Sequence, residues 1–352
     1  QIQSRGLGDV YKRQVQDIQM ARPTVFVSVP RLWLKFQLGV HQQMPPERLN
    51  RLLKIPIVSG IVKRRILAAL GLDAARFAVS GSAPIPAELV QWYRDLGLEL
   101  LEGYGTTEDF ACSHTSELGK GRVGYVGTPY PGVQVRISEE GEILIKSPGN
   151  MMGYFKEPEL TAACYTEDGF FRTGDRGEQD REGRLKVTGR TKELFKTSKG
   201  KYIAPVPIEN ILNVNPNVEL SCVSGSGRPQ PFAVVALAED VRERIEDLQT
   251  RQRVHDELEA LLAEVNRRVE QHEQLQFVAI AKQPWLIENG FLTPTMKIRR
   301  ARVEKAYEPL VDAWYASRKR IIWEGRSEPE RLDPLGVRAR RSSALGTRRG
   351  EE

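Results

Sequence analysis

At 352 residues the chain is long enough for about two ordinary domains, which excludes a miniprotein stapled by disulfides or a metal. Hydrophobic residues at 40%, charged residues at 28% and 30 glycines exclude collagen, coiled coil and wholesale disorder. Of the formal net charge of +6, the two ends supply +4: Arg5, Lys12 and Arg13 face Asp9, and seven arginines face five acids over 325–352. The middle is therefore close to neutral and is not the concentrated basic face that a nucleic-acid binder needs.

The first stretch, SRGLGDVYKRQ, resembles translated adaptor sequence more than a protein segment, so residues 1–14 are set aside as non-native. TVFVSVP at 24–30 is β-branched and apolar and stops at Pro30, as a short buried strand would. A helix is expected from Arg31 to about His41. The basic, amphipathic stretch from Arg48 to Leu70 reads as helical, interrupted near Pro56. It could rest on a membrane surface as a peripheral contact, though a solvated helical face explains it more simply. RFAVSGSAPIP runs a strand into a Gly, Ser, Pro turn; AELVQWYRDLG is a helix stopping at Gly97; LELLEGYGTTE is a strand ending in another glycine turn. This alternation predicts an α/β layer with polar loops at the carboxyl ends of its strands.

From Gly124 to Arg190 short strands and glycine turns predict a hairpin-rich β subdomain. GRTKE is a hinge candidate. Beyond it a small α+β module is expected, with a helix opening after Pro207, VELSCVSG and PFAVVALAE pairing as strands, one long charged helix from Arg242 to His272, and a further strand in QFVAIAKQPW. The segment after about Glu324 has few large apolar residues and reads as a disordered or non-native tail. Cys112, Cys164 and Cys222 lie 52 and 58 residues apart, spacings that match no zinc knuckle, redox pair or disulfide framework, so a reducing compartment is expected. No apolar run reaches the roughly 18 residues of a membrane span, and the start carries no secretory signal. A cytoplasmic location is the expectation.

Four segments carry chemistry. EGYGTTED gathers Gly103, Tyr104, Gly105, Thr106, Thr107 and Glu108 on one turn: an aromatic ring to stack on a base, hydroxyls to donate to a phosphate, and a carboxylate to help hold Mg2+. A polar turn would look the same in isolation. FFRTGD places Asp175 on a turn made by Gly174, where a carboxylate can accept two vicinal ribose hydroxyls, although Thr-Gly-Asp is a common turn. GRTKELFKTSKGKYIAPVPIE concentrates Arg190, Lys192, Lys196, Lys199 and Lys201 with Gly189 and Gly200, which is equally a solvated basic loop. In LTPTMKIRR, Lys297 sits between turn residues and a basic segment, as many surface lysines do.

In their order, VSGSAP, YGTTE, GEILIKSPGNMMGYFK, FFRTGD, GRTKELFKTSKGKYIAPVPIE and LTPTMKIRR resemble six successive signatures of the adenylate-forming superfamily, which includes acyl-CoA synthetases, firefly luciferases and peptide-synthetase adenylation domains. The pattern most resembles AMP-forming long-chain fatty acyl-CoA synthetases, through ENGFLTPTMKIRR and KTSKGKYIAPVPIEN. The resemblance implies ATP, Mg2+ and CoA as participants and a fatty acid as substrate. It implies a carboxylate attacking ATP to give acyl-AMP and pyrophosphate, followed by transfer to CoA with release of AMP. No side-chain nucleophile is needed, so His41, His114, His255 and His272 need no catalytic role.

By the same resemblance, Gly81, Ser82 and Ala83 face adenine and the acyl chain, and Gly103 and Tyr104 form the adenine platform. Thr107 supplies the α-phosphate hydroxyl, Glu108 the magnesium carboxylate, Asp175 the ribose acid, and Arg190 a grip on ribose or phosphate. Lys192 is the hinge and Lys297 the adenylation lysine, while Lys199 and Gly200 line the pantetheine route. The implied division is 15–190 for part of the large AMP-binding domain, 191–324 for a small mobile domain and 325–352 for the tail. The family's phosphate loop, rich in Ser, Thr and Gly, is not found in residues 1–80, so the sequence reads as the carboxyl-terminal part of a longer enzyme and is expected to be inactive alone. Two other readings stay open: an acyl-AMP ligase loading a carrier protein, and a non-catalytic relative that binds nucleotide or CoA.

Overall fold

The structure, a computed structural model, describes residues 15–294 and 296–326; the expected non-native segment 1–14 and the tail from 327 onward lie outside the described residues. Packing divides the described chain into two compact units, one of residues up to 216 together with 223–229, the other of 217–222 together with 230 onward.

In the first unit, β-branched residues form the short strand β1 (Val25–Ser28), which is not the buried strand expected: it lies at the edge of its sheet, and Val25 and Val27 are exposed. Pro30 then opens α1 (Pro30–Gln43), where its missing N–H costs nothing. Two further helices, α2 (Pro46–Leu53) and α3 (Val58–Ala69), separate where Pro56 interrupts them, as expected. The strand β2 (Phe77–Ser80) follows, then α4 (Ala87–Asp95) and β3 (Leu100–Tyr104). The helix α4 buries Leu89, Val90 and Tyr93, and the chain leaves it through Gly97 at φ +92°. The strands β1, β2 and β3 are parallel, with Ser28 beside Ser80 and Ser80 beside Glu102. Their carboxyl ends therefore share one edge. Behind them lies a core around Trp33, Phe36, Leu49, Leu89, Tyr93 and Leu100. Tyr93 Oη donates to the Trp33 carbonyl at 2.7 Å, and the two rings meet edge to face at 4.9 Å.

The short strands β4 (His114–Thr115) and β5 (Thr128–Pro129) extend this sheet in antiparallel sense, giving the order β1-β2-β3-β4-β5. The predicted hairpin-rich region is a four-stranded antiparallel sheet of β6 (Gln134–Ile137), β7 (Glu142–Lys146), β8 (Phe171–Gln179) and β9 (Leu185–Arg190) over Ile143, Ile145 and Leu185. The helix α5 (Pro158–Ala163) lies between β7 and β8; the sequence reading had no helix there. A two-stranded hairpin, β10 (Phe195–Lys196) with β11 (Tyr202–Ile203), follows, and then α6 (Pro205–Leu212). That helix starts at Pro205 rather than after Pro207, because both prolines fit its first turn, where the N–H groups have no intrahelical partner.

The second unit is built on a sheet of order β12-β13-β14-β15, formed by β12 (Val218–Ser224), β13 (Phe232–Leu237), β14 (Val278–Ile280) and β15 (Ile321–Trp323). The last three strands are parallel and are joined through helices. The expected single helix over 242–272 is corrected to two. The short α7 (Glu239–Arg242) gives way to turns, and α8 (Leu248–Arg268) starts anew because the Asp247 carboxylate accepts the Thr250 N–H at 2.8 Å. The last helix, α9 (Arg300–Ser317), packs Val303, Tyr307, Val311 and Trp314 into a core with Phe232 and Phe277; the sequence reading assigned no element there.

Candidate functional site

The carboxyl ends of β2 and β3 carry the first two motifs. After β2 the Gly81 N–H donates to the Ser28 carbonyl at 3.1 Å, and Ser82 takes a φ of +68°. A Cβ built on Gly81 would lie 3.7 Å from the Gly103 carbonyl oxygen, so the Gly81–Ala83 loop begins directly beside Gly103 of β3. After β3 the chain doubles back so tightly that a Cβ on Gly105 would stand 2.5 Å from the backbone of Ala111. Phe110 and Ala111 pass through the left-handed region at φ +59° and +55°, a strain held in place by the turn itself.

Within that turn the two adjacent carboxylates part company. Asp109 is fully buried and its Oδ1 accepts the Thr106 N–H at 2.7 Å, so it closes the turn; burial pushes its carboxyl up. Glu108 stays half-buried and Thr107 is exposed. Both are thus presented outward.

The third motif meets the first through β8. Tyr104 Oη donates to Asp175 Oδ2 at 2.8 Å, and Arg190 Nε donates to Asp175 Oδ1 at 3.1 Å. The backbone arranges this, since Asp175 and Arg190 are register partners across β8 and β9. Burial pushes the Asp175 carboxyl up, while the Tyr104 hydroxyl and the Arg190 guanidinium favour its ionised form. A carboxylate offers about four lone-pair sites, so with both oxygens engaged it can still accept vicinal hydroxyls. Burial also pushes the Tyr104 phenol well above its usual range, which keeps it a donor. The Tyr104 ring lies 6.0 Å from that of His114, its register partner on β4.

Sequence reasoning missed the residues that hold Glu108. Tyr154 Oη donates to Glu108 Oε1 at 2.8 Å, and the Met151 N–H donates to the Glu108 carbonyl at 2.6 Å. Tyr165 Oη in turn donates to the Met151 carbonyl at 3.1 Å. One segment between β7 and β8 thus grips both the side chain and the backbone of Glu108. The tyrosine sits in GNMMGYFK, a quoted motif, but nothing in its spacing points to a partner 46 residues away.

Among the described residues no group of three or more His, Cys, Asp or Glu side chains could hold a metal. A single outward carboxylate suits Mg2+, which keeps several waters and takes one or two carboxylates together with substrate phosphates. The structure thus brings together Gly81, Ser82, Ala83, Gly103 to Glu108, Asp175 and Arg190. Lys192 is exposed in the turn Thr191–Glu193 that follows β9. Lys199 and Gly200 are exposed at the tip of the β10–β11 hairpin, where Gly200 at φ +79° donates its N–H to the Thr197 carbonyl at 2.9 Å. Lys297 belongs to the second unit and is exposed on a tight turn in which its N–H donates to Thr293 Oγ1 at 3.0 Å.

Residues 7–155 match the family described as AMP-binding enzyme, and residues 193–319 match the AMP-binding enzyme C-terminal domain. The chain belongs to the AMP-binding enzymes. This AMP-binding enzyme is 30% identical over 331 residues to the long-chain-fatty-acid-CoA ligase FadD15 of Mycobacterium bovis, covering 84% of this chain and 55% of the relative. It is 30% identical over 344 residues to the long-chain-fatty-acid-CoA ligase 5 of Mus musculus, covering 86% of this chain and 50% of that protein. The chain spans about half the length of the curated relatives it matches. Among solved structures it is similar to the A domain of a carboxylic acid reductase from Segniliparus rugosus in complex with AMP and a co-purified carboxylic acid. The TM-score is 0.68 at 25% identity, over 86% of this chain and 49% of that one.

Proposed function

We propose that the protein carrying this chain is an AMP-forming fatty acyl-CoA ligase. The observation that carries the reading is the hydrogen-bonded Tyr104, Asp175 and Arg190 arrangement, in which Tyr104 ends the parallel strand β3 next to the start of the Gly81–Ala83 loop. The similarity to long-chain ligases supports the acyl substrate class. In the first step an oxygen of the fatty acid carboxylate attacks the α-phosphorus of ATP, and the bond to the β-phosphate breaks to release pyrophosphate. In the second, the CoA sulfur attacks the acyl carbon, and the bond to AMP breaks to leave the thioester.

Asp175 accepts the ribose hydroxyls while Tyr104 and Arg190 fix its orientation. Thr107 donates to the α-phosphate, and Lys297 bridges the substrate carboxylate and that phosphate with a compact charge on a long stem. Glu108 would hold Mg2+, which when bound would offset phosphate charge. Lys192 is the pivot about which a domain from residue 191 onward alternates between the two steps, and Lys199 with Gly200 lines the pantetheine route. The fold does its work by alignment and charge placement, without a covalent intermediate on the protein. A cytoplasmic setting belongs to the same reading.

The likeness to a carboxylic acid reductase A domain favours one second reading, in which a carrier-protein pantetheine takes the place of CoA. ATP-pyrophosphate exchange with a panel of fatty acids tests the first step, on this chain and on a longer polypeptide with a Ser, Thr and Gly-rich phosphate loop ahead of residue 15. Fatty-acid-dependent exchange by the longer polypeptide is expected. Exchange by neither overturns the ligase reading, while exchange without CoA acylation favours the carrier. In the active polypeptide Lys297→Ala should lower exchange at least about 100-fold yet spare thioester formation from supplied acyl-AMP. Equal loss of both half-reactions would remove Lys297 from the adenylation role.

A further inference from the structure

The carboxylate that Tyr104 and Arg190 hold stands on an irregularity in β8. Arg172 lies opposite Leu144 and Arg176 opposite Glu142, so Thr173, Gly174 and Asp175 of β8 stand against Ile143 of β7 alone. The extra residues leave the ladder as a bulge, and Gly174 supplies the left-handed step at φ +72° that lets the chain do so. Beyond it the pairing resumes, with the Gly177 N–H donating to the Gly141 carbonyl at 3.1 Å. Bulges beside binding sites re-aim a side chain, and this one ends at Asp175.

A bulge interrupts its ladder, so its shape depends on the hydrogen bonds that replace the regular ones. Thr173 Oγ1 donates to the Ile143 carbonyl at 2.7 Å and accepts the Asp175 N–H at 3.1 Å. Glu142 Oε1 accepts the Gly174 N–H at 3.0 Å, and Glu142 Oε2 accepts from Arg172 Nη1 at 3.2 Å. The Arg172 side chain is 48% exposed, so that ion pair is screened and adds little. The bond to Gly174 is the one that bears on Asp175, because it holds the backbone one residue before it.

We propose that Glu142 is a positioning residue for the nucleotide site: by taking the Gly174 N–H it pins the bulge and holds Asp175 where its carboxylate meets both ribose hydroxyls. That role rests on the nucleotide reading of Asp175, and Glu142 itself touches no substrate. A carboxylate that accepts two vicinal hydroxyls has to be placed to within about 0.5 Å, which a bulge free to shift does not provide.

Titration of the full chain with AMP and with 2′-deoxy-AMP tests it, since only the ribonucleotide offers Asp175 a second hydroxyl. The wild type should prefer AMP about tenfold or more. Glu142→Ala should cut that preference to about threefold or less, and Glu142→Gln should restore it, because an amide oxygen can take the same N–H. Arg172→Ala, which removes only the ion pair, should leave the preference as it is. The ratio of the two affinities is indifferent to a general loss of stability, because a smaller folded fraction weakens both ligands alike. A wild type without the preference overturns the ribose role of Asp175 and the nucleotide reading with it. A wild type that shows the preference, with a Glu142→Ala variant that keeps it in full, overturns the positioning role alone. So does a loss in Arg172→Ala or in Glu142→Gln as complete as in Glu142→Ala, which would give the effect to the ion pair.

Discussion

Two titrating groups on neighbouring strands oppose one another in the acid stability of the first unit. Burial pushes the Glu102 carboxyl up to about 7, against the Gly124 N–H and the Arg94 guanidinium, and burial pushes His114 down to about 4. Relative to the unfolded chain, folded Glu102 binds the extra proton, so its contribution is present at low pH and is lost as pH rises from about 4.5 to about 7. Folded His114 refuses a proton that the unfolded chain takes up, so its contribution is present above about 6.5 and lost as pH falls to about 4. Each is worth about 3 kcal/mol by linkage, and across the shared window the two slopes cancel. Glu102→Gln should therefore expose a loss of stability on acidification, and His114→Gln a loss on raising the pH. Urea melts at pH 5 and pH 7 check this, and parallel behaviour of the two variants would refute it. At the same scale, Tyr154→Phe frees Glu108 Oε1 and should weaken Mg2+-dependent ATP binding about threefold to tenfold. Calorimetry with Mg2+ and with chelator separates that from a general loss of nucleotide binding, which would leave the ratio unchanged.

Elements with a strong local pattern were legible and those set by a single contact were not. Short strands set off by glycine turns gave the β subdomain directly: Gln134–Ile137 alternates between exposed and half-buried positions, while Glu142–Lys146 is an apolar run with Ile143, Leu144 and Ile145 all buried. The charged run from Arg242 reads as one helix because its residues are good helix formers throughout, and only the Asp247 cap shows where it restarts. The turn before β5 illustrates a constraint that no pattern reveals. Gly127 sits at φ +86°, and a Cβ there would lie 2.0 Å from the Thr115 carbonyl oxygen across the sheet. Gly127→Ala should destabilise the first unit by more than about 2 kcal/mol, since strain and overlap add. An unchanged urea midpoint would show that β4 and β5 can part without cost.

Over the whole molecule, each unit has an apolar core of its own, one around Trp33 and Tyr93 and the other around Phe277 and Trp314. Local energetics should follow that division. Leu258 on α8 is fully buried in the second unit, and Leu258→Ala should cost about 2–5 kcal/mol there. Calorimetry with and without AMP assigns the transitions, because a ligand raises only the transition of the unit that binds it. The AMP-sensitive transition should keep its temperature in Leu258→Ala; a matching drop in both would show one cooperative body. No helix among the described residues is long and apolar enough to cross a membrane.

The sequence by itself singled out Tyr104, Glu108, Asp175 and Arg190 as candidate site residues, because they stand in short motifs whose order resembles one superfamily. It also determined the parallel layer and the hairpin sheet, since those follow from local periodicity. Only the tertiary structure decided which of two adjacent carboxylates turns inward to close its own turn and which faces out, and which tyrosine holds the outward one. It alone paired Tyr104 with Asp175, 71 residues apart. Burial and long-range hydrogen bonds are properties of the packed chain, and no spacing along the sequence encodes them.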